Sequence, residues 1–341
     1  MRWWANITNS DILSNDRRGK DGTLRNPRKL ILVATIGLAT GLTACGITTS
    51  KTTVNPAPLT SAQAPSSAPP TSAGLTSTTQ TPLNSPEWII AASGLERIVT
   101  AGGATVAKEV LDNPGTTVLI GSQSPAILQG WDSQTAIDVK SLPQLEQRLN
   151  SPLAGVSSVL YDPEDWTFTP VSEQINLGAS VQQAAELAHQ HNLTLIVAPA
   201  LDLTKRLAPG TIATSSYLSL NLPAAAATSS DAVEIQAQSI EGDTSRYAAF
   251  VKTTVALAKA ANPNVKVYAG LSTNPSGRYV TAEELFADVQ ATRSQVAGYW
   301  MNVPAGGASC PLCGSPQPQV AIALFKLVAQ ADQQSSVPAS S

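Results

Sequence analysis

The chain has 341 residues, only 13% of them charged, and a net charge of -3. It offers no basic field for nucleic acid and no acidic tail, so no nucleic-acid partner is expected. Its two histidines, His189 and His191, end a helical pattern just before an apolar run. In a β/α unit that is the amino-terminal side of the next strand, away from the usual site. Ser-His-Asp and Cys-His catalysis, a histidine-rich metal site and a phosphate-cradling glycine loop are therefore not expected, and neither a metal nor a cofactor is.

Taken in order, Arg25, Arg28 and Lys29 precede the apolar run Leu30 to Gly41. This is the anatomy of an export signal, and the run is shorter than the roughly 20 apolar residues of a membrane span. Leu42-Thr43-Ala44-Cys45-Gly46 follows directly and resembles the bacterial lipobox. The resemblance implies that Cys45 is lipidated and holds the protein on the extracytoplasmic face of the cell membrane. The alternative is an ordinary signal peptide with a chance cysteine. Residues 1–45 are read as this signal with an amino-terminal extension, in which Arg17-Arg18 lies too far from the apolar run to act as a twin-arginine signal. Residues 46–84 are Ser, Thr, Pro and Ala with few large apolar side chains. Such a segment cannot bury enough surface to offset its ordering entropy, so a disordered stalk is expected.

A folded domain is expected over 85–333, with a disordered tail over 334–341. Ser85-Pro86-Glu87 reads as a helix start, with an N-cap, a proline at the first helical position and an acid in the first turn. Seven β-like runs follow: Thr116 to Ile120, Ala136 to Val139, Val156 to Tyr161, Leu193 to Ala198, Ala232 to Gln238, Val265 to Gly270 and Val296 to Met301. Helical patterns fall between most of them, at Ser141 to Glu146, Val181 to His189, Tyr247 to Ala261 and from Thr281, and Gln319 to Ala329 closes the domain. This alternation predicts an α/β fold with a parallel sheet. Glu234, Gln236 and Gln238 form a polar stripe opposite Val233, Ile235 and Ala237. An open sheet covered by helices on both sides would be apolar throughout, whereas a barrel lumen becomes wet at its mouth. A TIM-type (β/α)8 barrel is therefore expected, incomplete unless Ile89 to Val110, which favours helix, hides an eighth strand.

The carboxyl ends of barrel strands carry the chemistry. The strongest candidate is Tyr161-Asp162-Pro163-Glu164-Asp165-Trp166, where an apolar run ends in three carboxylates and an indole. Gln123, Trp131, Asp202, Lys205, Gln236, Gln238, Glu241, Asn274, Trp300 and Asn302 gather at the same end. Carboxylates, amides and indoles around a cleft suit a sugar, because indoles stack on pyranose rings and a buried acid can protonate a glycosidic oxygen.

Asp162-Pro163-Glu164 matches the last D-x-E of the D-x-x-D-x-D-x-E motif of glycoside hydrolase barrels. The chain resembles most nearly their chitinase-like group (family eighteen), in strand pattern from about Val156 to Val303. The resemblance implies a glycan or polysaccharide substrate, Glu164 as general acid and Asp162 as the aspartate that orients it. Trp166, Asp202, Gln236, Gln238, Trp300 and Asn302 are the expected substrate-binding residues. The motif's first two aspartates fall on Ser157 and Leu160, its Tyr-Asp pair near Gln238 and Ser239, and its last tryptophan on Asn302. A non-catalytic barrel that binds glycan or another protein is accordingly the second expectation. Cys310-Pro311-Leu312-Cys313 lies in a Gly/Pro loop without a second pair to complete a zinc site, and in an exported protein it reads as a disulfide.

Overall fold

The computed structural model describes residues 85–121, 124–307 and 310–336. The export signal, Cys45, the stalk and Gln123 lie outside the described residues. Eight parallel strands close into a barrel in chain order: β1 Glu87–Ala91, β2 Thr116–Ile120, β3 Gln134–Val139, β4 Val156–Tyr161, β5 Thr194–Val197, β6 Ala232–Ile235, β7 Lys266–Ser272 and β8 Gly298–Asn302. The fold is a complete TIM barrel. Its helices are α1 Ala92–Ile98, α2 Ala104–Leu111, α3 Leu142–Leu149, α4 Val171–Ile175, α5 Leu177–Gln190, α6 Thr204–Leu207, α7 Ala213–Ser219, α8 Leu222–Ala227, α9 Thr244–Ala261, α10 Ala282–Thr292 and α11 Pro318–Ser336. None of the described helices is long and apolar enough to cross a membrane.

The expected helix start at Ser85-Pro86-Glu87 is instead the first strand. Local capping signals yield there to burial. Trp88, Ile89 and Ile90 alternate between the two faces of the wall, and helix begins only at Ala92. Strand β1 pairs with β2 on one side and β8 on the other and so closes the barrel. At the closure Gly298 stands opposite Glu87, and a Cβ on Gly298 would meet the Glu87 carbonyl oxygen at 1.9 Å. Backbone contact, not turn geometry, requires that glycine. Trp88 then packs edge-on against Phe325 of α11 at 5.1 Å and tilted against Tyr299 of β8 at 5.7 Å. Such pairs contribute about 0.5–1.5 kcal/mol each beyond their buried area. Helix α11 reaches Ser336, past the expected end of the domain at residue 333.

Side chains of period two divide the core. Outward positions such as Ile90, Tyr161 and Tyr299 meet the helices, while Ile89, Leu119, Leu160, Ile196, Tyr268 and Trp300 fill the lumen. Helix starts follow their caps: Ser141 Oγ accepts from Gln144 N–H at 3.3 Å, Asp243 caps α9, and Thr281 and Glu284 form a capping box on α10. Buried Glu173 links elements, accepting from Tyr161 Oη at 2.8 Å and Leu142 N–H at 3.0 Å. Strand β6 is shorter than expected. It ends at Ile235, which leaves Gln236 and Gln238 in the mouth loop rather than on the strand.

Candidate active site at the carboxyl-terminal mouth

Strand β4 delivers Asp162 to the lumen side of the mouth, where it is 3% exposed. Its Oδ2 accepts from Lys140 Nζ at 2.6 Å and its Oδ1 from Gln236 Nε2 at 2.8 Å. Gln236 also donates to the Ala198 carbonyl at 3.2 Å, so β4, β5 and β6 meet at this one amide. Lys140, just past β3, binds both carboxylate oxygens of Asp138 at 2.8 Å and lies 5.4 Å from the Trp166 ring centre. Burial works against its ammonium, but the combined pull of Asp162 and Asp138 wins and raises its pKa. Lys140 is thus a fixed cation and no nucleophile. Burial also raises Asp162, against the pull of Lys140.

Glu164 is different. Its neighbours are carboxylates: burial first, then the charges of Asp162 and Asp202, push it up to about 8, against smaller opposing effects of Lys140 and the Gln236 amide. Near neutral pH it keeps its proton. Among the described residues no ion pair forms to its side chain, whereas Asp165 is held by Arg206 at 2.7 Å and Asp202 meets Lys205 at 3.3 Å. The loop around it is held by hydrogen bonds. Glu164 N–H donates to Thr169 Oγ1 at 3.3 Å, Trp166 Nε1 to the same oxygen at 2.8 Å, and Gln174 Nε2 to the Trp166 and Thr169 carbonyls at 2.9 and 2.8 Å. Asp165 N–H donates to Asp202 Oδ1 at 2.9 Å and draws the β5 loop against the β4 loop.

The expected constellation is only partly assembled. Asp162, Glu164, Trp166, Asp202 and Gln236 come together. Asp162 is taken up by Lys140 and Gln236, and no hydrogen bond joins it to Glu164, so the direct orienting contact is not present. Trp300 is 8% exposed, packed in the lumen with Ile89, Leu160 and Tyr268, and its Nε1 has no hydrogen-bond partner among the described residues. It underlies the mouth and does not line it. Asn302 ends β8, its carbonyl accepting from Thr273 N–H at 3.0 Å. Glu241 and Asn274 are buried braces: Glu241 accepts from Ser272 N–H at 2.5 Å, and Asn274 Nδ2 donates to the Cys313 carbonyl at 2.8 Å. Cys310 and Cys313 form a disulfide in the loop after β8. His189 pairs with Asp231 at 2.9 Å, beside the start of β6.

Lys140 and Asp138 were not among the expected site residues. The i, i+2 spacing of Asp138 and Lys140 at the end of an apolar run was the available signal. Glu234 was expected on the lumen stripe but given no role. It is fully buried, neither carboxyl oxygen has a partner among the described residues, and burial, then Asp162 and Glu164, hold it well above the usual carboxylate range. Gly270 makes room for it: Glu234 Oε1 and Gln238 Nε2 both pass 2.4 Å from where a Cβ would stand. Among the described residues no group of three or more His, Cys, Asp or Glu is placed to hold a metal ion.

No protein-family model and no curated protein sequence matches the chain. Solved structures that resemble it include a chitinase from Chromobacterium violaceum, at 10% identity and a TM-score of 0.44, covering 73% of this chain and 99% of that one. The spore cortex-lytic enzyme SleL of Bacillus megaterium matches at 11% identity and 0.43, covering 72% and 73%. Triosephosphate isomerase from Bartonella henselae matches at 12% and 0.38, covering 72% and 99%. At these identities the likeness is one of architecture, and it assigns no activity to the chain.

Proposed function

We propose that the protein is an exported, lipid-anchored glycoside hydrolase-like barrel that acts on an envelope or extracellular polysaccharide, with Glu164 as its general acid. What carries this reading is a partly buried carboxyl at the mouth of a TIM barrel, which burial, then the charges of Asp162 and Asp202, push up to about 8, and which has no ion-pair partner among the described residues. Proton donation near neutral pH requires such a group. Glu164 gives its proton to the glycosidic oxygen as the bond from that oxygen to the anomeric carbon breaks. Water then adds to that carbon and passes a proton to a second carboxylate. Asp202 is our choice for that role, because its charge acts on Glu164 and its contact with Lys205, at 3.3 Å, is longer than the 2.7 Å pairing of Asp165 with Arg206, while Glu241 is buried against Ser272 N–H. Trp166 offers a ring face, and its indole N–H is already satisfied by Thr169.

Glycan binding without turnover is the second reading. The engagement of Asp162 with Lys140 and Gln236, instead of Glu164, favours it. Reducing-end release from peptidoglycan and from chitin oligosaccharides, alongside binding to the same glycans, separates the two. A hydrolase loses turnover in Glu164→Gln and keeps binding. A binding protein gives binding without turnover in both forms. Full turnover in Glu164→Gln removes Glu164 from the mechanism.

A further inference from the structure

The barrel has a second opening. At its amino-terminal end lies a cavity of about 400 Å³, bordered by Glu87, Thr117, Ser158, Thr194, Lys266 and Tyr268. The lumen core of Leu119, Leu160, Ile196 and Trp300 lies between it and Glu164. This end of a TIM barrel ordinarily serves stability, and bulky branched side chains fill its lumen layers. Here the first lumen positions of β2 to β6 are hydroxylated, amide or small. Thr117 and Gln134 stand opposite one another on β2 and β3, Ser158 and Thr194 on β4 and β5, and Ala232 follows on β6. Their shortness leaves the space open.

The chemistry of the wall limits what fits. The charges of Glu87 and Lys266 neutralise one another. Lys266 Nζ meets both Glu87 oxygens at 2.8 and 3.0 Å, and Tyr268 Oη donates to Glu87 Oε2 at 2.5 Å. At the rim, Asp231 accepts from Leu195 N–H at 2.7 Å and pairs with His189. A charged ligand between these strands would have to be desolvated beside an ion pair that is already closed. Hydroxyls, in contrast, converge from several strands, with Ser158 Oγ and Thr194 Oγ1 2.8 Å apart and able to donate or accept. Ile196 and Ala232 supply a small apolar floor. Hydroxyl walls above an apolar floor match a molecule with polar edges and a C–H face. The volume lies within the roughly 300–1,000 Å³ of small-molecule sites.

We propose that the amino-terminal mouth is a binding site for one neutral, polyhydroxylated ring of monosaccharide size, separate from the mouth that holds Glu164. The test is titration of the full-length protein with glucose, N-acetylglucosamine and myo-inositol, followed by calorimetry and ligand-observed NMR. At least one probe should bind in the millimolar range or tighter. Thr194→Leu and Thr117→Leu, which place apolar bulk in the cavity, should each weaken it by roughly tenfold or more, about the loss of one or two hydrogen bonds. Thr194→Ser, which keeps the hydroxyl, should retain it. Melting curves establish that each variant is folded. Absence of binding by all three probes overturns the proposal. So does binding that survives both leucine variants, since that places the ligand elsewhere.

Discussion

Replacing Glu164 by Gln tests the electrostatics of the mouth without any substrate. A free glutamate titrates near 4.5, and in the folded protein Glu164 is pushed up to about 8. Between those two pH values the folded state holds a proton that the unfolded chain has released. Stability therefore falls as pH rises through this window, and the loss is complete above about pH 8. At about 1.36 kcal/mol per pH unit the full loss is roughly 4–5 kcal/mol. Partial exposure of the side chain to solvent reduces it to roughly 2–4 kcal/mol. Glutamine has a similar shape and cannot ionise. The variant should match the wild type near pH 4 and become progressively more stable up to pH 8, by about 5–15 °C in melting temperature for a domain of this size. Buried Glu241, whose shift does not involve Glu164, adds to the slope of both proteins and cancels in the difference. Thermal and urea denaturation of the two proteins from pH 4 to 9 provides the measurement. Parallel stability curves, or a variant less stable at pH 8, would refute the reasoning.

The remaining predictions concern anchoring and support of the site. Lys140→Met leaves Asp162 buried without its cation and should cost about 3–5 kcal/mol near neutral pH, easing as the pH is lowered and the acids of the mouth take up protons; chemical denaturation at two pH values checks both statements. Gly298→Ala drives a methyl group into the Glu87 backbone and should cost about 3 kcal/mol or more, whereas a neutral result would show that the β1–β8 closure is looser than the structure has it. Cys45→Ser should move the protein from the membrane to the soluble fraction on cell fractionation, and unchanged membrane association would remove the lipobox reading. Cys310 and Cys313 should resist alkylation until a reductant is added. Their short loop contributes about 2 kcal/mol, visible as a modest drop in melting temperature for the Cys310→Ser/Cys313→Ser variant.

Much of the barrel was legible in the chain because its signals are local. Alternating apolar runs and helical patterns define β/α units, and the capping residues at Ser141 and Thr281 stand where α3 and α10 begin. The Asp162-Pro163-Glu164 segment announced itself as carboxylates at the end of an apolar run. Tertiary contacts decided the rest. Glu87 to Ala91 carries helix-start residues, yet it is a strand because only a strand there satisfies the open edges of β2 and β8 at once. The pairing of Asp162 with Lys140 and Gln236 joins residues 22 and 74 positions apart, and no local pattern reports which of several mouth groups will meet. The same holds for the protonated state of Glu164. Its sequence neighbours indicate an acid, but burial, then the charges of Asp162 and of Asp202 on another strand's loop, push its pKa up, because a pKa depends on surroundings that exist only once the barrel has closed.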